Sequence, residues 1–199
     1  MTRRFKQLVR DERGVTVVEF ALVAPALLIL VLGVFDLAYN VYTNGIVNGA
    51  IQRAARGSTI EGAAGNQAKL DSIVTSEVRS VTPNATLTFE RKAYASFSDV
   101  DRPEDFTDRD NDGLCNNGEP YEDANRNGRW DTDAGSAGFG GARDAVLYTV
   151  TVTYPRLVPI AAFITGQNKN FTLKSRSVLR NQPYGAQDAV TAPPVLNCT

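Results

Sequence analysis

Gly14 to Phe20, with the sequence Gly-Val-Thr-Val-Val-Glu-Phe, opens an apolar run that decides the fold of this chain. The run continues to Phe35, and the 21 residues from Val15 onward contain one charged side chain, Glu19. About 20 predominantly apolar residues are enough for an α-helix to cross a bilayer. The stretch therefore predicts a membrane-spanning helix near the amino terminus.

Glu19 lies inside this predicted helix. A carboxylate in a membrane helix costs about 2.5 to 3.5 kcal/mol on insertion scales, so it usually persists where a partner neutralises it. Cleavage after Gly14 would supply such a partner, because Val15 would then carry a free amino group one helical turn from Glu19. In a filament the amino group could equally belong to a neighbouring subunit. The alternative is an ordinary signal anchor that tolerates a glutamate near its edge.

The charges that flank the apolar run predict its orientation. Residues 1–14 carry five lysines and arginines against two acids, a net charge of +3. By the positive-inside rule this end stays in the cytoplasm and the remainder of the chain is exported. A signal-peptidase site needs small residues after the apolar core, and Asp36, Leu37 and Tyr39 make a poor one. We therefore expect the helix to remain on the mature protein.

The amino-terminal segment resembles a known family. Gly14 followed by Glu19 and the aromatic Phe20 resembles the processing site of type IV prepilins. The longer run from Gly14 to Pro25, Gly-x-x-x-Val-Glu-Phe-Ala-Leu-Val-x-Pro, resembles the TadE-like proteins of the tight-adherence (Tad) pilus. Residues 180–184, Arg-Asn-Gln-Pro-Tyr, are similar to the family's usual Arg-Asn-Glu-Pro-Tyr ending, with glutamine in place of the acid.

This resemblance implies a processing site, a location and a set of partners. A prepilin peptidase would remove residues 1–14, with Gly14, Val15 and Glu19 as the processing residues. The protein would be a minor pilin or pseudopilin, anchored by a single span in the inner membrane or built into the pilus. Its cytoplasmic end would be amino-terminal and its carboxyl-terminal domain periplasmic or extracellular. The implied partners are other pilins or pseudopilins and the Tad assembly machinery.

The remaining periodicity predicts an α+β, pilin-like fold with a small, mainly antiparallel sheet. The expected organisation is a basic leader (1–14), a membrane-spanning and extended helix (15–57) and an exported domain (58–199) that contains an acidic insertion (99–142). Apolar residues at three- and four-residue steps predict that the first helix continues to residue 56 and that a second covers 66–81. Alternation predicts strands at 85–97, 145–154 and 171–179, and the prolines predict an irregular tail from 182 to 199.

The acidic insertion differs sharply in charge from the rest of the chain. Residues 99–133 hold twelve carboxylates against four arginines, a net charge of −8, whereas the whole chain carries −1. Like charges at this density repel one another and keep a loop open unless something neutralises them. The insertion is therefore expected either to bind a cation or to be a solvated acidic turn with accidental spacing.

The spacing of the acids favours Ca²⁺. Asp-x-Asp-x-Asp-Gly from residue 108, followed by Glu119, is the complete calcium-loop pattern, in which alternate oxygens surround the ion and the glutamate closes the shell. The predicted ligands of this first loop are Asp108, Asp110, Asp112, Glu119 and the carbonyl of Leu114. Pro120 follows directly and no apolar helical stripe flanks the loop, so a stiffened surface loop is expected rather than a helix-loop-helix sensor.

A second loop begins fifteen residues later and matches the first nine positions of the pattern. Its predicted ligands are Asp123, Asn125, Asn127, Asp131 and, at the seventh position, Arg129. Ala134 occupies the twelfth position, so that Asp133, Glu122 or water would have to complete the shell. The pair of loops resembles tandem calcium repeats of extracellular bacterial proteins.

The two cysteines, Cys115 and Cys198, are consistent with an exported chain. A bridge between them would close a long loop, for which the chain-entropy model gives about 4 to 5 kcal/mol as an upper figure. Two unpaired thiols or an intermolecular bond are the alternatives.

The composition argues against an enzyme and against a nucleic-acid partner. The chain contains no histidine, which excludes a histidine-based triad, base or zinc site, and it has no phosphate-binding glycine loop with a lysine. A net charge of −1 gives no global basic field. Two hypotheses remain: a structural or assembly component of a Tad-type pilus, and a permanently anchored, calcium-dependent binding or adhesion domain with a pilin-like anchor.

Overall fold

The computed structural model describes residues 14–58, 67–141, 143–158, 166, 168–180 and 192–199. The helices are α1 (Val15–Ser58) and α2 (Gln67–Val81). The strands are β1 (Thr86–Tyr94), β2 (Pro120–Glu122), β3 (Ser136–Ala137), β4 (Ala145–Pro155), β5 (Asn170–Arg180) and β6 (Val195–Asn197), with a 3-10 turn at Phe97–Asp99. One compact unit holds the described residues up to Tyr42 and from Pro155 to Phe171; the other holds those in Thr43–Tyr154 and Thr172–Thr199.

α1 is a single helix of 44 residues that continues through Pro25. In the first unit its large apolar side chains are exposed, among them Phe20 at 67% and Leu22 at 76%. By length and composition the helix is able to cross a membrane, and none of its most apolar window is buried. The predicted long amino-terminal helix is therefore confirmed, and its exposed apolar surface is of the kind that lipid or another helix covers.

The first unit also contains a buried ion pair just beyond the apolar run. The Asp36 carboxylate, 5% exposed, accepts from the guanidinium of Arg156 and from the side-chain amide of Asn40 at 3.3 Å. The Arg156 guanidinium also lies 5.1 Å from the ring centre of Phe171 and donates from Nε to the carbonyl of Asn168 at 3.3 Å. These contacts hold the helix to the segment that joins β4 and β5.

In the second unit one face of α1 enters the core. Its buried residues recur at three- and four-residue steps and are at most 3% exposed: Val47, Ala50, Ile51 and Ala54. Leu70, Val74 and Val78 of α2 are buried in the same way. Ala54 and Leu70 line a small cavity together with sheet residues Val146, Tyr148 and Leu179. Both helices therefore pack against the sheet, as the periodicity predicts.

The main sheet has the strand order β3-β1-β4-β5. β1 and β4 are antiparallel over their whole paired length, from Thr86 opposite Thr153 to Tyr94 opposite Ala145. β4 lies inside the sheet, and Val150, Val152 and Tyr154 are at most 2% exposed. The three predicted strands are confirmed, with small shifts at their ends, and the fold is α+β with a small antiparallel sheet.

The prediction of an irregular tail was wrong for β6. Val195–Asn197 pairs antiparallel with β2 of the acidic insertion, with Tyr121 opposite Leu196. The prolines that suggested irregular structure, Pro193 and Pro194, precede this strand and do not interrupt its pairing. Pairing between segments more than 70 residues apart leaves no periodic signal in so short a strand, and the tail was therefore misassigned.

Candidate functional site

The acidic insertion leaves the main sheet after β1 and returns to it at β3, before β4. It contains two consecutive turns, which we call the first loop (residues 108–119) and the second loop (residues 123–134). β2 joins them and pairs with β6. The insertion is therefore attached both to the main sheet at its ends and to the carboxyl-terminal tail at its middle.

The first loop brings its three aspartates together. Carboxylate oxygens of Asp108, Asp110 and Asp112 lie within 4.8 Å of one another. The N–H of Gly113, at φ +77°, donates to Asp108 Oδ2 at 2.9 Å, which folds the chain back over its first ligand. The other oxygen of that carboxylate, Asp108 Oδ1, is buried and has no hydrogen-bond partner among the described residues.

Glu119 closes the first loop from its twelfth position. Its side chain is buried, with 2% of the residue exposed. One carboxylate oxygen accepts from the N–H of Arg109, the second residue of the loop, at 2.5 Å, and the other accepts from the N–H of Asn116, the ninth, at 3.3 Å. The predicted ligands Asp108, Asp110 and Asp112 are thus gathered, and Glu119 spans the loop from its far end.

The second loop repeats the backbone of the first. Gly128, at φ +80°, donates to Asp123 Oδ2 at 2.9 Å, as Gly113 does to Asp108. The fourth residues of the two loops, Asn111 and Arg126, both have φ +60°. The N–H of the seventh residue donates to the side chain of the fifth in both, at 2.7 Å from Leu114 to Asp112 and 2.8 Å from Arg129 to Asn127. The Asp131 carboxylate accepts hydrogen bonds from the side-chain amides of Asn125 and Asn127.

The side chain of Asp133, one of the two that were expected to complete the second loop, bonds to β1 instead. Asp133 accepts from the ammonium of Lys92 at 2.7 Å and from the hydroxyl of Tyr94 at 2.9 Å, both on β1. Burial alone would raise the pKa of Asp133, but these two hydrogen bonds lower that pKa below its ordinary value. Glu122, on β2, is exposed, and its N–H donates to the carbonyl of Asp105 at 2.8 Å.

Glu104, which the sequence pattern missed, lies against the second loop instead. It is 2% exposed. One carboxylate oxygen accepts from the N–H of Ala124 at 2.9 Å, and the other from the N–H of Asp131 at 3.0 Å. Burial raises the pKa of Glu104; backbone N–H groups oppose that rise, and the charge of Asp123 adds to it. The sequence offered one signal for this role. The second loop lacks an acid at its twelfth position, and Glu104 is an acid of the same insertion that neither loop pattern uses.

A disulfide between Cys115 and Cys198 joins the first loop to the tail, with Cα atoms 5.4 Å apart. Two backbone hydrogen bonds flank it: Cys198 N–H donates to the carbonyl of Glu119 at 2.8 Å, and Gly118 N–H to that of Cys198 at 3.1 Å. Glu119 is therefore held by Cys198 from outside the first loop, as well as by Arg109 and Asn116 from within it.

Near the amino terminus, the predicted processing residues lie at the start of α1. Val15 is the first residue of the helix, Gly14 precedes it directly, and Glu19 is exposed one turn further on. Residues 1–13 of the predicted leader lie outside the described residues, and so do residues 181–184 of the family-like ending.

Comparison with known families gives a match to this part of the chain. Residues 14–56 match the family model described as TadE-like protein. The amino-terminal segment is TadE-like. The matched residues cover nearly the whole of α1 and end before α2, so the match describes the anchor. The match suggests a membrane protein associated with the Tad pilus. Searches of curated proteins and of solved structures returned no match.

Proposed function

We propose that this TadE-like chain is a minor pilin or pseudopilin of a Tad-type adhesion pilus, processed by a prepilin peptidase and anchored in the inner membrane. In this proposal its carboxyl-terminal domain is exported and its acidic insertion is stiffened by calcium. The observation that carries the proposal is the TadE-like match over α1, with Gly14 and Glu19 placed on either side of the start of that helix.

The division of α1 supports a filament subunit. Up to Tyr42 the helix lies in one unit with its apolar side chains exposed, and from Thr43 it belongs to the other, where one face is buried. A membrane would cover the exposed part before assembly, and neighbouring helices would cover it in a filament. The net charge of +3 in residues 1–14 supports a cytoplasmic location of the leader by the positive-inside rule.

We expect the mature chain to begin at Val15, because cleavage after Gly14 supplies the amino group that neutralises Glu19. Substitution Gly14→Arg should leave residues 1–14 attached to essentially all of the protein, since a bulky cation replaces the small residue at the cleavage point. Intact-mass measurement of the membrane-extracted chain distinguishes the two forms.

The matched control is Gly33→Ser within the same helix, where an added Cβ atom meets nothing within 4 Å in the structure. Gly33→Ser should be processed like the wild type. A wild-type protein that retains Met1 or Thr2 in its assembled pool would support the other hypothesis, a permanently anchored calcium-dependent binding domain.

Calcium fits the first loop because the donors there are oxygens, and no lysine or arginine among the described residues forms an ion pair with these carboxylates. Three aspartates converge, and the buried oxygen Asp108 Oδ1 has no hydrogen-bond partner among the described residues. Hard oxygen donors of this number and spacing suit Ca²⁺. The residues that would hold it are Asp108, Asp110, Asp112, the carbonyl of Leu114 and Glu119. Bound calcium would reduce the net negative charge of the insertion and fix its shape.

Calcium is expected to protect the insertion from trypsin and to raise the melting temperature of the full chain in detergent. The cleavage sites are Arg109, Arg126 and Arg129, which are exposed. An ion that binds only the folded state at ten times its dissociation constant adds about 1.4 kcal/mol. For extracellular modules that dissociation constant is about 0.1 to 1 mM, so millimolar Ca²⁺ is the concentration to use.

Asp108→Asn with Asp112→Asn should remove most of this gain. Asp99→Asn with Asp105→Asn removes the same charge from the same segment outside the loop spacing and should keep the gain. Identical digestion and melting of the wild type with calcium and with chelator would eliminate the calcium part of the proposal and leave the pilin part standing.

A further inference from the structure

Glu104 and the second loop reproduce an arrangement that the first loop makes within its own sequence. In the first loop the Glu119 carboxylate bridges the N–H groups of the second and ninth residues, Arg109 and Asn116. In the second loop the Glu104 carboxylate bridges the N–H groups of the second and ninth residues, Ala124 and Asp131. The two glutamates are therefore equivalent in place, although Glu104 comes before both loops in the chain.

The twelfth position of the second loop explains why a substitute is needed. Ala134 stands there and has no oxygen on its side chain. Its N–H donates to the carbonyl of Arg102 at 2.9 Å, and the N–H of Glu104 donates to the carbonyl of Asp131 at 3.0 Å. The segment that carries Glu104 thus runs beside the end of the second loop and brings a carboxylate to the place that Ala134 cannot fill.

The backbone beside Glu104 is also held by contacts within the insertion. The indole N–H of Trp130 donates to the Glu104 carbonyl at 2.9 Å, and the Trp130 ring meets Phe106 edge-on with centroids 5.6 Å apart. The N–H of Thr107 donates to the carbonyl of Pro120 at 2.9 Å. These contacts fix the segment that carries the Glu104 side chain, which is the pre-organisation that a tight site needs.

The charge at this position points to a cation. Glu104 and Asp123 are both 2% exposed, and both carboxylates accept from backbone N–H groups of the second loop. Neither makes an ion pair with a lysine or arginine within the part of the chain that the structure describes. Two carboxylates buried at one loop without a counter-charge are unfavourable unless a cation joins them.

We infer that Glu104 is the closing ligand of a second calcium site, formed with Asp123, Asn125, Asn127, the carbonyl of Arg129 and Asp131. This inference rests on the proposed calcium function of the insertion and extends it from one site to two. The second site is closed by a residue from outside its own loop. It therefore ties the segment that leaves β1 to the far end of the insertion.

The test is calorimetric titration of the full, disulfide-bonded chain in detergent with CaCl₂, with Trp130 emission recorded in parallel. Trp130 lies within the second loop and contacts Glu104, so its emission reports this site. The wild type should bind two equivalents. Glu104→Gln should bind one equivalent tightly. The affinity of the other site, which Trp130 reports, should fall at least about tenfold. Asp105→Asn, which removes the same charge from the next residue, should still bind two.

Near-UV circular dichroism would reveal whether Glu104→Gln disturbs folding. If it does, a second variant, which disables the first loop instead, tests the inference. Asp108→Asn with Asp112→Asn disables the first loop, and one equivalent should still bind and change Trp130 emission. The inference is overturned if that variant binds none while the wild type binds one, or if Glu104→Gln keeps two equivalents of unchanged affinity. A wild type that binds no calcium at all refutes the calcium proposal itself.

Discussion

Replacing Asp71 by alanine is expected to lower the free energy of unfolding by up to about 3 to 5 kcal/mol, because it leaves the largely buried guanidinium of Arg91 without its carboxylate partner. The Asp71 carboxylate on α2 accepts from Arg91 of β1 and from the hydroxyl of Tyr148 of β4, the latter at 2.8 Å. The Arg91 side chain is 11% exposed, and its guanidinium lies 4.4 Å from the ring centre of Tyr148 and 5.0 Å from that of Phe139. This cluster joins a helix to two strands.

Urea unfolding of the full chain in detergent, followed by near-UV circular dichroism, measures the loss. Arg176→Ala is the matched control, because it breaks an ion pair with Asp101 whose side chains are 47% and 51% exposed. Exposed pairs contribute about 0 to 1 kcal/mol. Adding Arg91→Met to Asp71→Ala should recover much of the stability, since it removes the stranded charge. A loss below about 1 kcal/mol for Asp71→Ala would show that water reaches Arg91 and that the cluster is not buried in solution.

The elements that the sequence predicts well are those with a local signal. α1 follows from 21 residues with a single charge, and its buried face from apolar steps of three and four. β4 follows from alternation between Val146 and Tyr154, which Leu147 interrupts, and its interior place in the sheet agrees with the burial of Val150 and Val152. The candidate loop ligands follow from fixed spacing within twelve residues. In each case the residues that produce the pattern are close to one another in the sequence.

The features that the sequence did not predict depend on pairs that are distant in the chain. Asp71 and Arg91 are 20 residues apart, and Asp36 and Arg156 are 120 apart. Glu104 meets Asp131 from 27 residues away. A charged residue on a helix or loop has many possible partners, and periodicity does not rank them. The packing of α2 on the sheet decides which partner Asp71 receives.

β6 is a whole strand whose formation likewise depends on residues that are distant in the sequence. Val195–Asn197 is three residues long, too short for alternation to be recognised, and its partner β2 is equally short. Both become strands because a disulfide and two backbone hydrogen bonds hold their ends together. A strand of this kind is a consequence of tertiary contacts, and its stability should depend on them.

Replacing both cysteines by serine is therefore expected to destabilise the domain strongly. The disulfide joins residues separated by 83 positions, and for a loop of that size the chain-entropy model gives about 4 to 5 kcal/mol as an upper figure. Cys115→Ser with Cys198→Ser should approach that loss in urea unfolding of the full chain in detergent. The tail should also become open to proteolysis, since the pairing of Tyr121 with Leu196 loses its covalent support.

Reduction of the wild type provides the internal control for this prediction. A reducing agent should lower the stability of the wild type to that of the double serine variant and leave the variant itself unchanged. The effect should extend to the first loop, because the Glu119 carbonyl accepts from Cys198 at 2.8 Å and Cys115 lies inside the loop. Calcium protection of Arg109 from trypsin should therefore weaken on reduction. Unchanged unfolding after reduction would mean that β6 and the core hold the tail without the bridge.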